Sequence, residues 1–216
     1  MIKTVILDFD GVVLESVDVK TEVFRSLFSF APDHIDEIVN YHLENGGISR
    51  FDKFRYIYSE ILNQNLSTEQ FNYLSESFAR EVREKVLNSS FVEGALSFLK
   101  DFHQQFPIFI VSATPEVELV SIINARGIRE YFKDICGAPN KKDQCIRRIL
   151  KENEILPEFA VFVGDSPNDF DAARETGVHF IGRIRPGDCN RFIGHDVELI
   201  ISNLSDLSDL VHGGVL

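Results

Sequence analysis

Asp8 and Asp10 close the apolar run "VILDFDGVV" (5–13), where a buried strand would otherwise continue. Residues two apart in extended chain share a face, so the two carboxylates stand side by side and repel. Other apolar runs end in polar residues too: "PIFIVSA" (107–113) carries Ser112, and "FAVFVGD" (159–165) ends on Asp165. After a third run comes "GAPNKKDQ" (137–144), which places Lys141 and Lys142 at the start of a helical pattern. Carboxylates packed together are costly, and a hard divalent cation is the usual remedy; Mg²⁺ takes one or two of them plus waters and phosphate oxygens. A lysine can reach phosphate oxygens as a point charge. Carboxylate, hydroxyl, lysine and metal together suit phosphoryl transfer. Asp8 would attack phosphorus to form an aspartyl-phosphate, and Asp10 would protonate the leaving oxygen and then deprotonate a water. Singly each signal is weak, since a DxD occurs in many turns and Asp165 or Ser166 could merely cap a helix. Their ordered placement after strand-like runs carries the reading.

Those runs must be brought together for the chemistry to exist. They are 3–9, 107–113, 132–138, 159–165, 178–183 and 197–202, each rich in Val, Ile or Phe. Near-continuous hydrophobicity implies strands covered on both faces, as in a parallel sheet. Between them, helical periodicity covers 93–105, 115–126, 142–153 and 167–176. Strand–helix alternation predicts a doubly wound α/β domain, whose ligands bind beyond the carboxyl ends of the strands. One stretch differs. From about Glu15 to Asn88 no strand-like run occurs, and Val23, Phe24, Leu27, Phe28, Phe54, Ile57, Phe71, Leu74 and Phe78 fall at helical spacing. We expect an α/β core from residues 1–14 and 88–216, with 15–87 inserted as an all-helical unit.

The bulk properties set limits. The chain has 216 residues, 44% hydrophobic and 26% charged, with a net charge of −12. That acidity argues against a general nucleic-acid or anionic-membrane binder but permits a small anionic substrate held by a few local cations. The three cysteines, Cys136, Cys145 and Cys189, show no CxxC spacing and read as reduced thiols. No signal peptide or membrane span is apparent, so a soluble cytoplasmic protein is expected, a monomer or a dimer.

The motifs together resemble the haloacid dehalogenase (HAD) superfamily, in the branch with a helical cap after the first strand that includes phosphoglycolate phosphatase and β-phosphoglucomutase. "DFDGVV" resembles its nucleophile motif, which implies Asp8 as nucleophile and Asp10 as acid/base. "IFIVSAT" resembles the second motif and implies Ser112; "GAPNKK" resembles the lysine motif and favours Lys142 over Lys141. "VGDSPNDFDAA" resembles the acidic motif, implying Asp165 as metal ligand and Asp169 as a supporting acid. The ligand set so implied for Mg²⁺ is Asp8, the main-chain carbonyl of Asp10, and Asp165. In "LENGGISRF" the segment "GISR" resembles the cap loop of the mutase-like members, which implies Arg50 and, on the first cap helix, Lys20 as specificity residues. The mutase pattern expects histidine where Lys20 stands and lysine where Gly46 stands, so the resemblance implies a phosphatase of a small phosphorylated metabolite over a sugar phosphomutase. Intact Asp8, Asp10, Lys142 and Asp165 argue against a non-catalytic binding domain.

Overall fold

The computed structural model describes residues 2–212. The chain runs β1 (Thr4–Leu7), α1 (Val17–Leu27), α2 (Ile35–Glu44), α3 (Arg50–Tyr56), α4 (Thr68–Leu87), α5 (Ala95–Phe102), β2 (Ile108–Pro115), α6 (Glu116–Ala125) and β3 (Asp134–Ala138). It continues through α7 (Lys142–Glu152), β4 (Ala160–Gly164), α8 (Pro167–Thr176), β5 (His179–Arg183), β6 (Leu199–Ile201) and α9 (Leu204–His212). All six strands are parallel, in the order β3-β2-β1-β4-β5-β6.

The alternation of side chains explains the unbroken apolar runs. Val5, Leu7, Ile108, Ile110, Val161 and Val163 face one layer with α5, α6 and α9. Ile6, Phe109, Val111 and Phe162 face the other, where α7 and α8 cover them. With both faces buried there is no solvent side on which polar residues could alternate. The chain moves outward from β1 to β2 and β3, then crosses to β4 on the opposite side of β1. That reversal opens a crevice at the carboxyl ends of β1, β2 and β4. Leu7 pairs with both Ile110 and Val163, so the residues just past these three strands emerge at one level.

Helices α1–α4 follow β1 and precede α5 and β2 in the chain, as an insert of helices between the first two strands. Phe24 is its hub, with ring centroids 5.2 Å from Phe78, 5.6 Å from Phe54 and 6.1 Å from Phe28. Burying such rings contributes roughly 1.5–3 kcal/mol each, so the aromatic stripes of the sequence are core. α3 runs on into a π-helical turn at Ile57–Ile61. α4 opens with a capping box between Ser67 and Gln70. The chain leaves and re-enters the sheet layer as a pair: the Glu15 amide donates to the Ser90 carbonyl at 2.9 Å, and the Val92 amide to that of Val13 at 3.0 Å.

One expectation is corrected. Cys136 and Cys145 form a disulfide, with Cα atoms 5.8 Å apart, and only Cys189 is a free thiol. Cys136 lies on the face of β3 that α7 covers, and the tight turn between them folds Cys145 back onto it. A spacing of nine residues carries no such signal by itself. Among the described residues no helix is long and apolar enough to cross a membrane.

Candidate active site

Asp8 is the first residue past β1, and its amide donates to the Val163 carbonyl of β4 at 2.9 Å. Its Oδ1 accepts from the Phe9 amide at 2.7 Å, and its Oδ2 from Lys142 Nζ at 2.9 Å. Asp10 faces other partners. Its Oδ1 accepts from Ser16 Oγ at 2.6 Å, and its Oδ2 from Thr114 Oγ1 at 2.9 Å and from Lys20 Nζ. Gly11 makes the turn possible. Its φ is +78°, and a Cβ there would lie 2.3 Å from Asp165 Oδ2.

Ser112 and Thr114 stand at the end of β2, where the register with β3 shifts between Val111 and Pro115. Such an irregularity re-aims side chains at a sheet rim. Ser112 Oγ accepts from the Thr114 amide at 3.1 Å and lines the same cavity as Asp8. Of the two candidate lysines, Lys141 is exposed, whereas Lys142 is buried and its Nζ donates to both Asp8 and Asp169. Asp169 is fully buried; its Oδ2 also accepts from the Ser166 amide at 3.1 Å and Ser166 Oγ at 2.5 Å, so it ties the start of α8 to the lysine. Asp165 follows β4, with Arg191 Nη1 at 4.0 Å.

Carboxylate oxygens of Asp8, Asp165 and Asp169 all lie within 4.8 Å of one another. Burial pushes the Asp8 carboxyl up to about 8; Lys142 opposes this, and Asp169, Asp165 and Asp10 add repulsion. Burial, then Asp169, pushes Asp165 up to about 7. Burial acts in the same direction on Asp10, but the Lys20 ammonium and the hydrogen bonds from Lys20, Ser16 and Thr114 outweigh it and hold that carboxyl below its ordinary value. Burial opposes the charge on Lys142, yet Asp169 and Asp8 overcome it and raise its pKa. The cluster at Asp8 and Asp165 is thus short of positive charge. Hard oxygen donors in that state fit a divalent cation such as Mg²⁺. Asp169 is already committed to Lys142 and Ser166, which leaves Asp8 and Asp165 as the available side-chain ligands.

Beside these residues lies a cavity of about 760 Å³, whose lining also includes Lys20, His42, Arg50 and Lys53 from α1, α2 and α3. The insert is docked onto the core. Asn168 Nδ2 donates to the Gly46 carbonyl at 2.6 Å, and a Cβ on Gly47 (φ +78°) would lie 2.7 Å from Ser166 Oγ and 3.3 Å from Lys142 Nζ. Arg50 lines the cavity but is not free. Its Nη1 and Nη2 donate to Glu118 Oε2 and Oε1 of α6 at 2.7 and 2.5 Å, a bidentate pair from insert to core. Lys20 is likewise paired, with Asp10.

Thr114, Glu118, His42 and Lys53 were not anticipated. Thr114 could have been found, since it lies two residues beyond Ser112. Lys53 sits one turn from Arg50 on α3, a neighbour by helical spacing. Glu118 and His42 gave no local signal.

A family model described as haloacid dehalogenase-like hydrolase matches residues 5–183. The chain belongs to that hydrolase family. A phosphoglycolate phosphatase of Vibrio cholerae serotype O1 is 25% identical over 191 residues, which cover 84% of this chain and 84% of the relative. Among solved structures, a protein of Haemophilus somnus described as a predicted phosphoglycolate phosphatase has a TM-score of 0.77 at 18% identity, over 97% of this chain and 98% of its own. The β-phosphoglucomutase of Clostridium difficile has a TM-score of 0.75 at 18% identity, over 100% and 99%. At such identities the two structures speak for the fold alone.

Proposed function

We propose that the chain is a Mg²⁺-dependent phosphoric monoester hydrolase that cleaves a small phosphorylated metabolite through an aspartyl-phosphate on Asp8. The observation that carries this is the contact of Asp8 with Lys142 beside Asp165, while Asp10, on the same cavity, is held separately by Lys20, Ser16 and Thr114. Two carboxylates in different environments take different roles. An Asp8 oxygen forms a bond to phosphorus as the bond to the leaving oxygen breaks, and protonated Asp10 gives that oxygen its proton. A water then attacks phosphorus, passes a proton to Asp10, and the Asp8–phosphorus bond breaks. The Lys20 pairing favours ionised Asp10, the form that accepts the water's proton. Lys142 offsets charge on the phosphoryl oxygens, Ser112 hydrogen-bonds one of them, and Asp169 orients Lys142. A cation held by Asp8, Asp165 and the Asp10 carbonyl supplies further charge neutralisation when bound.

In this reading residues 15–87 are a cap over the core of 1–14 and 88–216, joined through the paired segments near Leu14 and Phe91. Substrate enters when the cap lifts, and closure excludes water. The curated relative's activity supports hydrolysis, and Lys20 and Gly46 at positions where the mutase pattern differs count against phosphomutase action. The test is phosphate release from a panel of monoesters with and without Mg²⁺. Turnover that needs Mg²⁺, disappears in excess EDTA and falls by orders of magnitude in Asp8→Asn supports the reading; undiminished turnover by Asp8→Asn refutes it.

A further inference from the structure

Among the described residues, each buried or half-buried cation around the cavity has a carboxylate partner except Lys53. Lys142 has Asp8 and Asp169, Lys20 has Asp10, and Arg50 has Glu118. Arg80 and Arg83, also at the cavity, are exposed. Lys53 is 3% exposed, and among the described residues its Nζ meets only His42, through Nδ1 at 3.1 Å and the main-chain carbonyl at 3.0 Å, with the Phe24 ring at 5.8 Å. A buried ammonium without a counter-anion costs several kcal/mol, and an apolar side chain would pack there without that cost.

His42 adds a second donor. Burial, reinforced by Lys53, lowers it to about 2, so the imidazole is neutral. With Nδ1 accepting from Lys53, the proton is assigned to Nε2, and among the described residues nothing accepts from it. One turn before Lys53, Arg50 Nε is buried with no hydrogen-bond partner among the described residues. Among the described residues, Lys53 Nζ and His42 Nε2 thus lack an anion and Arg50 Nε lacks a hydrogen-bond partner, and His42, Arg50 and Lys53 all line the cavity.

We propose that Lys53, supported by His42, is the residue that selects the substrate: it binds a second anionic group, a carboxylate or a phosphate, at the end of the molecule that is not transferred. The proposal rests on the phosphatase reading above. The substrate class is a short phosphate monoester whose alcohol portion carries its own negative charge. The phosphoryl group occupies the Asp8 side of the cavity and the distal anion the Lys53 side.

The test uses alkyl phosphates of two to four carbons ending in hydroxyl, carboxylate or phosphate, turned over by the Mg²⁺-loaded enzyme. Wild type should prefer a charged end, and the charged-over-hydroxyl ratio of kcat/KM should drop about ten- to a hundredfold in Lys53→Met, mainly through KM. Whether the carboxylate or the phosphate series loses more identifies the distal group. Lys53→Arg, which keeps the charge, should retain most of the preference and guards against a folding defect in the first variant. An unchanged ratio in a folded Lys53→Met protein overturns the proposal. If wild type turns over no monoester at all, the phosphatase reading fails by itself. Calorimetric titration with the same carboxylate series then decides: binding that depends on Lys53 sustains the anion site, and equal binding by wild type and variant removes it.

Discussion

Lys142 bridges Asp8 and Asp169: its Nζ lies 2.9 Å from Asp8 Oδ2 and also donates to Asp169 Oδ1. Asp169 also accepts from the Ser166 amide, so one carboxylate fixes both the start of α8 and the lysine that contacts Asp8. Asp169→Asn keeps the shape and removes the charge that holds the ammonium. A charge-assisted hydrogen bond contributes about 1.5–3 kcal/mol. We expect a stability loss of about that size by urea unfolding and a fall in kcat of ten- to a hundredfold. A variant with normal kcat would show that Asp8 alone positions Lys142.

The crowding of Asp8 and Asp165 predicts a metal effect on folding. Their carboxylates are buried together and pushed toward protonation, so a divalent cation that binds only the folded state stabilises it by mass action. At a hundredfold excess over Kd the gain is about 2.7 kcal/mol. Mg²⁺ should raise the Tm of wild type and leave Asp165→Asn nearly unmoved. An equal rise in both would place the cation elsewhere.

The bidentate Arg50–Glu118 pair joins α3 of the insert to α6 of the core, and its disruption separates two roles for Arg50. As a strut, Arg50 needs Glu118 for closure, and Glu118→Gln lowers kcat/KM on every monoester by a similar factor. As a substrate clamp restrained by Glu118, it would be freed by the same change, and the preference for anionic substrates would rise. We expect the strut outcome, with a stability loss of about 1–3 kcal/mol, below the fully buried range because Glu118 is one-third exposed.

The legible parts of this molecule were those whose cause is local. Two-face burial makes each strand apolar in its own sequence, and Asp8, Ser112, Lys142 and Asp165 each follow such a run directly. The relationships that decide charge were not legible, because they join distant segments. Lys20 meets Asp10 only when α1 is laid against the β1 loop, and Arg50 meets Glu118 across 68 residues. Nothing near Arg50 in the sequence points to its pairing with Glu118. Lys53, which drew no attention in the sequence, is the buried cation at the cavity that has no carboxylate partner among the described residues. Cys136 and Cys145 were missed similarly, since their approach depends on the turn from β3 into α7.

The unpaired state of Lys53 has a consequence for stability that requires no turnover. Burial lowers its pKa to about 7; nearby Lys20 on α1 and Lys142 on α7 push the same way, while Asp165 and Asp10 in the strand-end loops oppose them. His42 on α2 touches it but stays neutral above pH 7. In the unfolded chain the amine titrates at its ordinary 10.5. Between these values the unfolded state holds more protons than the folded one, so Lys53 makes stability rise with pH, by at most about 1.4 kcal/mol per pH unit. Below about pH 7 both states carry the proton and the full cost of a buried charge is present. Lys53→Met lacks this dependence. In metal-free urea titrations the variant should exceed wild type in stability by a few kcal/mol at pH 6.5, and its advantage should shrink steadily toward pH 9.5. A difference that stays constant over that range would mean that Lys53 has an anionic partner or ready access to water, and the selection of substrate by a distal anion would lose its physical basis.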